Sequence, residues 1–457
     1  MFSYILLSGC FWNKTQLSET LPEVDAELES SGPITCANPE SREQSPMTLA
    51  DFGEAWSYQP VEGYTPLPEN VVGGEGVAVG DFNQDGRLDI FVPTIDVDLF
   101  FIQQENGEFT ETSTDTFPQR EPSTTLGASA VDFDGDQDLD LFVLNVDTPH
   151  QLFENQGEGT FVDISLDMDI VQTRYDSFGA TWGDSDDDGD LDLLVLNTGY
   201  GPLGAPPWND YSNFELAGPN VLYKYESGQA YTIEPLPNHT PEPYSCCAAF
   251  IDVNLDLVQD LYIVNDFGMY VKPNQLFHGD ESGGLTPHVN SGLDIGMYGM
   301  GLAVGDLNND EYPDFAVTDW GRNWLFLSDG FGQWYDNTLG SNFVADLDSQ
   351  QVGWGVEVHD FDNDADLDIW VGYGYLNMSE EEQESFDEVG LLNPKLQPDA
   401  LFTQDAGVFS DVAEEWGINR ATITRGGIWA DLNDDGFLDF ISTALDGPGE
   451  AYLANCD

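Results

Sequence analysis

One acidic nine-residue segment recurs seven times along this chain, and no other feature limits the possible folds so strongly. The copies begin at Asp81, Asp132, Asp184, Asp252, Asp306, Asp360 and Asp431, which sets a unit of roughly 52 residues with inserts in two copies. Apolar runs flank each copy, such as Gly76–Gly80 before the first and Leu88–Val92 after it. A third run at Leu99–Ile102, a turn at Glu105–Gly107 and a fourth run from Phe109 complete that unit. Four short strands at this spacing predict an all-β chain, a seven-bladed β-propeller of four-stranded antiparallel blades over residues 47–457.

Ring closure sharpens the expectation. The seventh unit offers only three strands, the last at Ala451–Ala454. Its missing fourth is found near the other end, where Leu49–Trp56 parallels Phe409–Trp416, with Asp51 matching Asp411, Glu54 matching Glu414 and Trp56 matching Trp416. The N-terminal strand is therefore expected to complete the last blade and leave no open edge. That arrangement brings Cys36 towards Cys456, and a disulfide between them is expected to lock the ring. Cys246 and Cys247 are either a vicinal disulfide or two buried thiols.

Oxygen donors occupy positions one, three, five and nine of every acidic segment. They are Asp81, Asn83, Asp85 and Asp89; Asp132, Asp134, Asp136 and Asp140; Asp184, Asp186, Asp188 and Asp192; and Asp252, Asn254, Asp256 and Asp260. The remaining three sets are Asp306, Asn308, Asp310 and Asp314; Asp360, Asp362, Asp364 and Asp368; and Asp431, Asn433, Asp435 and Asp439. The backbone carbonyl of position seven (Arg87, Asp138, Asp190, Tyr312, Asp366, Phe437) can join them. So many hard oxygens suit Ca²⁺, which takes 6–8 in irregular geometry, better than Mg²⁺. No Cys or His lies in the loops, which argues against zinc. Up to seven Ca²⁺ are expected. Position six favours a residue tolerant of positive φ, and Gly86, Gly189 and Gly436 supply it. Gln137, Leu257, Glu311 and Ala365 do not, and the fourth loop, with Leu255, Leu257 and Val258, is the weakest site.

The charge fits this picture. Asp and Glu number 85 against 11 Lys and Arg, a formal net charge of −74, while 40% of residues are hydrophobic. An acidic disordered chain lacks such apolar content. Nucleic acid and anionic lipid surfaces are excluded as partners by repulsion.

The frame resembles the FG-GAP, or VCBS-type, repeats of integrin α-subunit propellers and of many bacterial exported proteins, and also the propeller of the cartilage acidic protein family. The resemblance rests on the Asp81–Asp89 pattern, on Phe178-Gly179 and Tyr298-Gly299, and on glycine-rich first strands, and it spans about residues 47–457. It implies that the loops bind calcium structurally at the blade rim, and that the opposite face engages partners.

In a four-stranded meander the 1–2 and 3–4 connections share one face, and the 2–3 and 4–1 connections share the other. The acidic loops lie on the first. The second carries both inserts, about 198–219 (with Trp208 and Tyr211) and 372–398, together with Arg120, Arg174, Lys272, Arg322, Arg420 and Arg425. Either each cation pairs with a local carboxylate, or they form a basic, aromatic-rimmed ligand patch.

Leu7-Ser8-Gly9-Cys10 resembles a lipobox, so residues 1–10 are read as a signal segment lipidated at Cys10 and 11–46 as an acidic tether. An exported, outer-membrane or cell-surface lipoprotein is expected, held to the membrane only through Cys10, monomeric, and binding a protein or glycan. The leading function is a calcium-stabilised adhesion module without catalysis. A polysaccharide lyase or hydrolase and a structural envelope component are the alternatives.

Overall fold

The structure, a computed structural model, describes residues 76–93, 98–113, 125–145, 148–157, 159–170, 175–200, 218–226, 228–237, 241–344, 351–374, 397–444 and 450–454, and the strands Leu6–Leu7 and Thr48–Leu49. Cys10, Cys36, Cys456, Arg120, Arg174, Trp208 and Tyr211 lie outside these residues.

Seven antiparallel sheets follow one another along the chain. Blade 1 runs through Ala78–Gly80, Asp89–Val92, Leu99–Gln103 and Phe109–Glu111. Blade 2 comprises Thr125–Val131, Asp140–Asn145, Gln151–Asn155 and Phe161–Asp163. Blade 3 has Tyr175–Gly183, Asp192–Tyr200, Val221–Lys224 and Thr232–Glu234. In blade 4 the strands are Tyr244–Ile251, Asp260–Asp266, Gln275–His278 and Thr286–Pro287. Blade 5 is built from Gly301–Gly305, Asp314–Thr318, Trp324–Ser328 and Trp334–Asp336. Blade 6 follows with Gly353–His359, Asp368–Tyr373, Ala400–Asp405 and Val408–Asp411. The strands Thr424–Ala430, Asp439–Ala444 and Glu450–Leu453 belong to blade 7.

Thr48–Leu49 pairs antiparallel with Glu450–Leu453 and supplies the fourth strand of blade 7, as the sequence predicts. The register differs from the sequence alignment. Phe409 sits opposite Gln404 in blade 6, whereas Leu49 faces Tyr452, two residues short of Ala454, the counterpart of Gln404. Leu6–Leu7 adds a short antiparallel pairing beside Ala78–Gly80.

Burial falls from the ring's centre outwards. Thr125–Val131 and Asp140–Asn145 are buried at every position, because neighbouring blades cover both faces, whereas only the first residue of Phe161–Asp163 is buried. Between each pair of successive blades lies one apolar cluster. Ala78, Phe91 and Phe100 of blade 1 meet Ala128, Ala130 and Leu141 of blade 2. The ring closes in the same way, with Val77, Val79 and Ile90 of blade 1 packed on Ile428, Ala430 and Ile441 of blade 7. Each fully buried Val, Leu, Ile or Phe among them contributes about 1.5–3 kcal/mol. Close approach explains the glycine-rich first strands: a Cβ on Gly183 would come within 2.5 Å of Phe250 in the next blade. Trp182, Trp354 and Trp429 of the first strands are buried in these interfaces.

Cys246 and Cys247 are buried thiols in the first strand of blade 4, and Cys247 Sγ donates to the Met300 carbonyl at 3.1 Å. No disulfide occurs among the described residues.

Candidate metal centres and the opposite face

All seven acidic loops adopt one hydrogen-bonded frame. The position-one carboxylate accepts the position-six N–H at 2.7–3.1 Å, from Gly86, Gln137, Gly189, Leu257, Glu311, Ala365 and Gly436 in turn. The position-five carboxylate accepts the position-seven N–H at 2.9–3.0 Å. Position nine is buried in every loop. Its Oδ2 accepts the position-two N–H, and its Oδ1 accepts an N–H at the end of the third strand, as in Asp140 with Phe133 (3.2 Å) and Asn155 (2.8 Å).

This frame corrects one expectation. Gln137, Leu257, Glu311 and Ala365 take up positive φ at position six just as the glycines do, at 79°, 76°, 73° and 76°. The left-handed conformation costs about 1–2 kcal/mol at each, and the carboxylate that accepts the N–H offsets it. Position four is left-handed too, at Gln84, Gly135, Asp187, Leu255, Asn309, Asn363 and Asp434, which the sequence reading missed.

The loops also bring carboxylate oxygens close together. Asp132, Asp134 and Asp136 bring one carboxylate oxygen each within 4.8 Å of one another, as do Asp184, Asp186 and Asp188, and Asp360, Asp362 and Asp368. In three loops the position-three oxygen (Asp186 Oδ1, Asn308 Oδ1, Asp362 Oδ1) is buried with no hydrogen-bond partner. An orphaned buried oxygen is costly, and a hard cation is the group that relieves it. Burial pushes the position-nine carboxyls up, to about 6 for Asp192, about 7 for Asp89 and Asp439, and about 8 for Asp140, Asp314 and Asp368. The donor set therefore fits Ca²⁺, held by positions one, three, five and nine.

Basic side chains reach three loops. Arg87 contacts Asp85 in the first, Lys224 Nζ lies 3.0 Å from Asp186 Oδ2 in the third, and His278 Nδ1 lies 3.2 Å from Asp260 Oδ1 in the fourth. The last was not anticipated.

At the opposite end of the blades a second repeat appears, also unanticipated. Polar side chains before the third strands of blades 2, 3 and 6 cap the preceding strand and reach the next blade. Asn145 N–H donates to His150 Nδ1 (3.2 Å), and His150 Nε2 lies 3.1 Å from Ser177 Oγ in blade 3, which donates to Asn197 Oδ1 (2.5 Å). Asn220 plays the same part between blades 3 and 4, through Ser245 to Asn265, and Asp399 between blades 6 and 7, through Thr424. The available signal was the recurrent Pro149-His150-Gln-Leu-Phe, Pro219-Asn220-Val-Leu-Tyr, Pro273-Asn274-Gln-Leu-Phe and Pro398-Asp399-Ala-Leu-Phe.

On the face of the 2–3 and 4–1 connections, the four described cations are engaged locally. Arg322 pairs with Asp336 and stacks 4.2 Å over Trp324. Arg420 lies 3.4 Å from Glu450, Lys272 Nζ lies 3.5 Å from the Pro241 carbonyl, and the buried Arg425 stacks 3.8 Å over Trp354. What gathers there is aromatic. Tyr244, Phe267, Tyr298 and Trp320 form a chain of rings 5.5–5.8 Å apart, with Tyr270 6.3 Å from Tyr298. Asp319 organises it, accepting N–H groups of Tyr298 (3.0 Å) and Trp320 (2.6 Å) and the Trp324 indole (2.8 Å). Phe267 holds φ 52°, rare for a bulky residue.

Seven four-stranded blades, each with the same oxygen-rich loop between its first two strands, define a seven-bladed β-propeller. Residues 81–143 and 132–195, the loops and flanking strands of its first three blades, match the family model described as FG-GAP-like repeat. Among curated proteins, cartilage acidic protein 1 of Xenopus tropicalis is 30% identical over 133 residues, 27% of this chain and 20% of that protein. The chain thus matches about a fifth of that relative's length. An Agrocybe aegerita lectin that recognises non-reducing terminal N-acetylglucosamine overlays with a TM-score of 0.48 at 11% identity, over 78% of this chain and 85% of the lectin. BBS1N, solved in complex with ARL6DN, gives 0.47 at 9% identity, over 91% of this chain and 100% of its own.

Proposed function

We propose that this chain is a calcium-stabilised binding module, without catalytic activity, that acts outside the cell and takes its ligand on the face of the 2–3 and 4–1 connections. The observation that carries the metal assignment is the set of buried, unpartnered position-three oxygens in loops of one repeated frame. Calcium at these loops offsets part of the −74 charge and fixes the turn that joins the two innermost strands of each blade.

The ligand face is supported by the ring chain of Tyr244, Phe267, Tyr298 and Trp320, organised by Asp319 and carrying the strained Phe267. Aromatic rings beside carboxylates suit a glycan or a protein side chain as ligand. Export with a lipid at Cys10 is the matching location.

Counting bound metal by mass spectrometry on resin-stripped, reloaded protein tests the first half. Uptake of several Ca²⁺ per chain, with a melting midpoint raised by about 10 °C or more, is the expected result. No uptake at millimolar calcium would refute it. Glycan and protein arrays probed with wild type and with Tyr270→Ala/Trp320→Ala test the second half, and a bound ligand indifferent to those changes would refute the face assignment.

A further inference from the structure

The acidic loop of blade 4 departs from its six counterparts in a way that metal binding does not explain. Positions four and six are leucines, both in left-handed backbone, at φ 60° and 76°. Other loops place Gln, Gly, Asp or Asn at position four. Neither leucine is rewarded by burial: Leu255 is 41% exposed and Leu257 87%.

More apolar surface adjoins them. Asn254 Nδ2 lies 3.5 Å from His278 Nδ1, and the His278 and His288 rings contact each other through their nitrogens with centroids 4.4 Å apart. Next to His288 is Val289, 70% exposed. A Cβ on Gly332 would sit 3.7 Å from His288, which sets Phe331, 91% exposed, at the same place. The Trp334 N–H donates to the Ser291 carbonyl (2.8 Å) and fixes this segment against blade 5. Elsewhere in the ring, the 3–4 turn of one blade lies on the acidic loop of the blade before, as Gly159 does on Asn83 and Gly283 on Asp186. In blade 5 the turn holding Phe331 meets blade 4 at His288, whose partner His278 lies against Asn254 of the loop holding Leu257.

Exposed carboxylates stand among these residues: Asp256 lies between the two leucines in sequence, Asp294 accepts the Asn290 N–H beside Val289 (3.2 Å), and Asp329 accepts the Phe331 N–H (2.8 Å). A second copy of a chain at −74, or an anionic membrane, would meet like charge. A partner with apolar side chains set among lysines or arginines would meet complementary groups at both levels.

We propose that the metal-loop face of blades 4 and 5 is a docking surface for a basic, amphipathic protein segment, anchored by Leu255, Leu257, Val289 and Phe331. This surface is on the opposite side of the ring from the aromatic face and stands independently of what that face binds.

The test uses full-length, calcium-loaded protein and two fluorescent peptides of equal positive charge, one alternating Lys with Leu at helical spacing and one with Ser replacing Leu. Anisotropy titrations at physiological salt compare wild type, Leu257→Gly/Phe331→Ser, and Leu166→Ser, which removes an equally exposed leucine in blade 2's 4–1 connection. Gly suits the φ of position 257, so the double variant keeps the loop's backbone, and its melting curve checks this. Wild type and Leu166→Ser should bind the Leu peptide at least about tenfold more tightly than the Ser peptide, and the double variant should lose that preference. Equal binding of both peptides, an unaffected double variant, or a wild-type dimer that the double variant dissociates would each overturn the proposal.

Discussion

The side chain of Gln103 in blade 1 donates from Nε2 to the carbonyl of Leu432 in blade 7 at 2.6 Å, across the ring's closure. Asn155 makes the equivalent bond from blade 2 to the Phe82 carbonyl of blade 1 at 2.8 Å. Both donors are buried, and both acceptors are position two of an acidic loop. Removing either donor strands a buried carbonyl, so Gln103→Ala and Asn155→Ala should each cost about 1–3 kcal/mol. Gln104→Ala, at an exposed neighbour, should cost close to nothing. Denaturant melts of the three variants check this, and a silent Gln103→Ala would show that apolar packing alone closes the ring.

Closure was legible in the sequence because strand pairing depends on apolar periodicity and turn spacing, which repeat. So were the seven loops, since oxygen donors at fixed spacing are written directly in the residues. The register of Thr48–Leu49 against Glu450–Leu453 was not, because two-residue shifts keep the same side chains facing inwards. Position six was misjudged for a related reason. Propensity alone disfavours Gln137, Leu257, Glu311 and Ala365 at positive φ, and the carboxylate one turn back overrides it. The His278–His288 contact joins a third strand to the segment after a fourth strand, and no sequence spacing announces it.

The left-handed residues give a stability prediction. Ala365 has φ 76°, and glycine adopts this conformation without the Cβ penalty. Ala365→Gly should stabilise the calcium-loaded chain by roughly 0.5–1 kcal/mol, after glycine's greater loss of chain entropy is counted. Chemical denaturation in saturating calcium checks it. A destabilised variant would mean that the Ala365 methyl makes packing contacts that outweigh its strain.

Under the proposed calcium assignment, metal and proton compete at position nine. Asp89, Asp140, Asp192, Asp314, Asp368 and Asp439 have folded-state pKa values raised to about 6–8 by burial. A raised carboxyl contributes stability that is complete below its unfolded value near 4 and is lost as pH rises through 6–8. Metal-stripped protein should therefore melt at lower temperature at pH 8 than at pH 5.5, while calcium affinity rises over the same interval and binding releases protons. Calorimetry in two buffers of different ionisation enthalpy measures the release. Calcium affinity that is flat from pH 5.5 to 8 would remove position nine from the ligand set.

His150 offers a pH effect remote from the loops. Buried between blades 2 and 3, it accepts the Asn145 N–H at Nδ1, so its proton sits on Nε2 facing Ser177 Oγ. Burial lowers its pKa to about 4 from 6.5, and a second ring proton would oppose the Asn145 N–H. The unfolded chain takes up a proton near pH 6.5 and the folded chain does not, so stability is full above that value and falls as pH drops towards 4. The loss approaches about 3 kcal/mol at the lower end. Asn occupies the matching place in blades 3 and 4, where Asn220 and Asn274 cap through Oδ1. His150→Asn should therefore keep the cap while abolishing this share of the acid sensitivity. The observable is the difference in melting midpoint between wild type and variant at pH 7.5 and at pH 4.5, which should widen in the variant's favour at the lower pH. A difference that stays constant between the two would show that His150 is protonated in the folded ring.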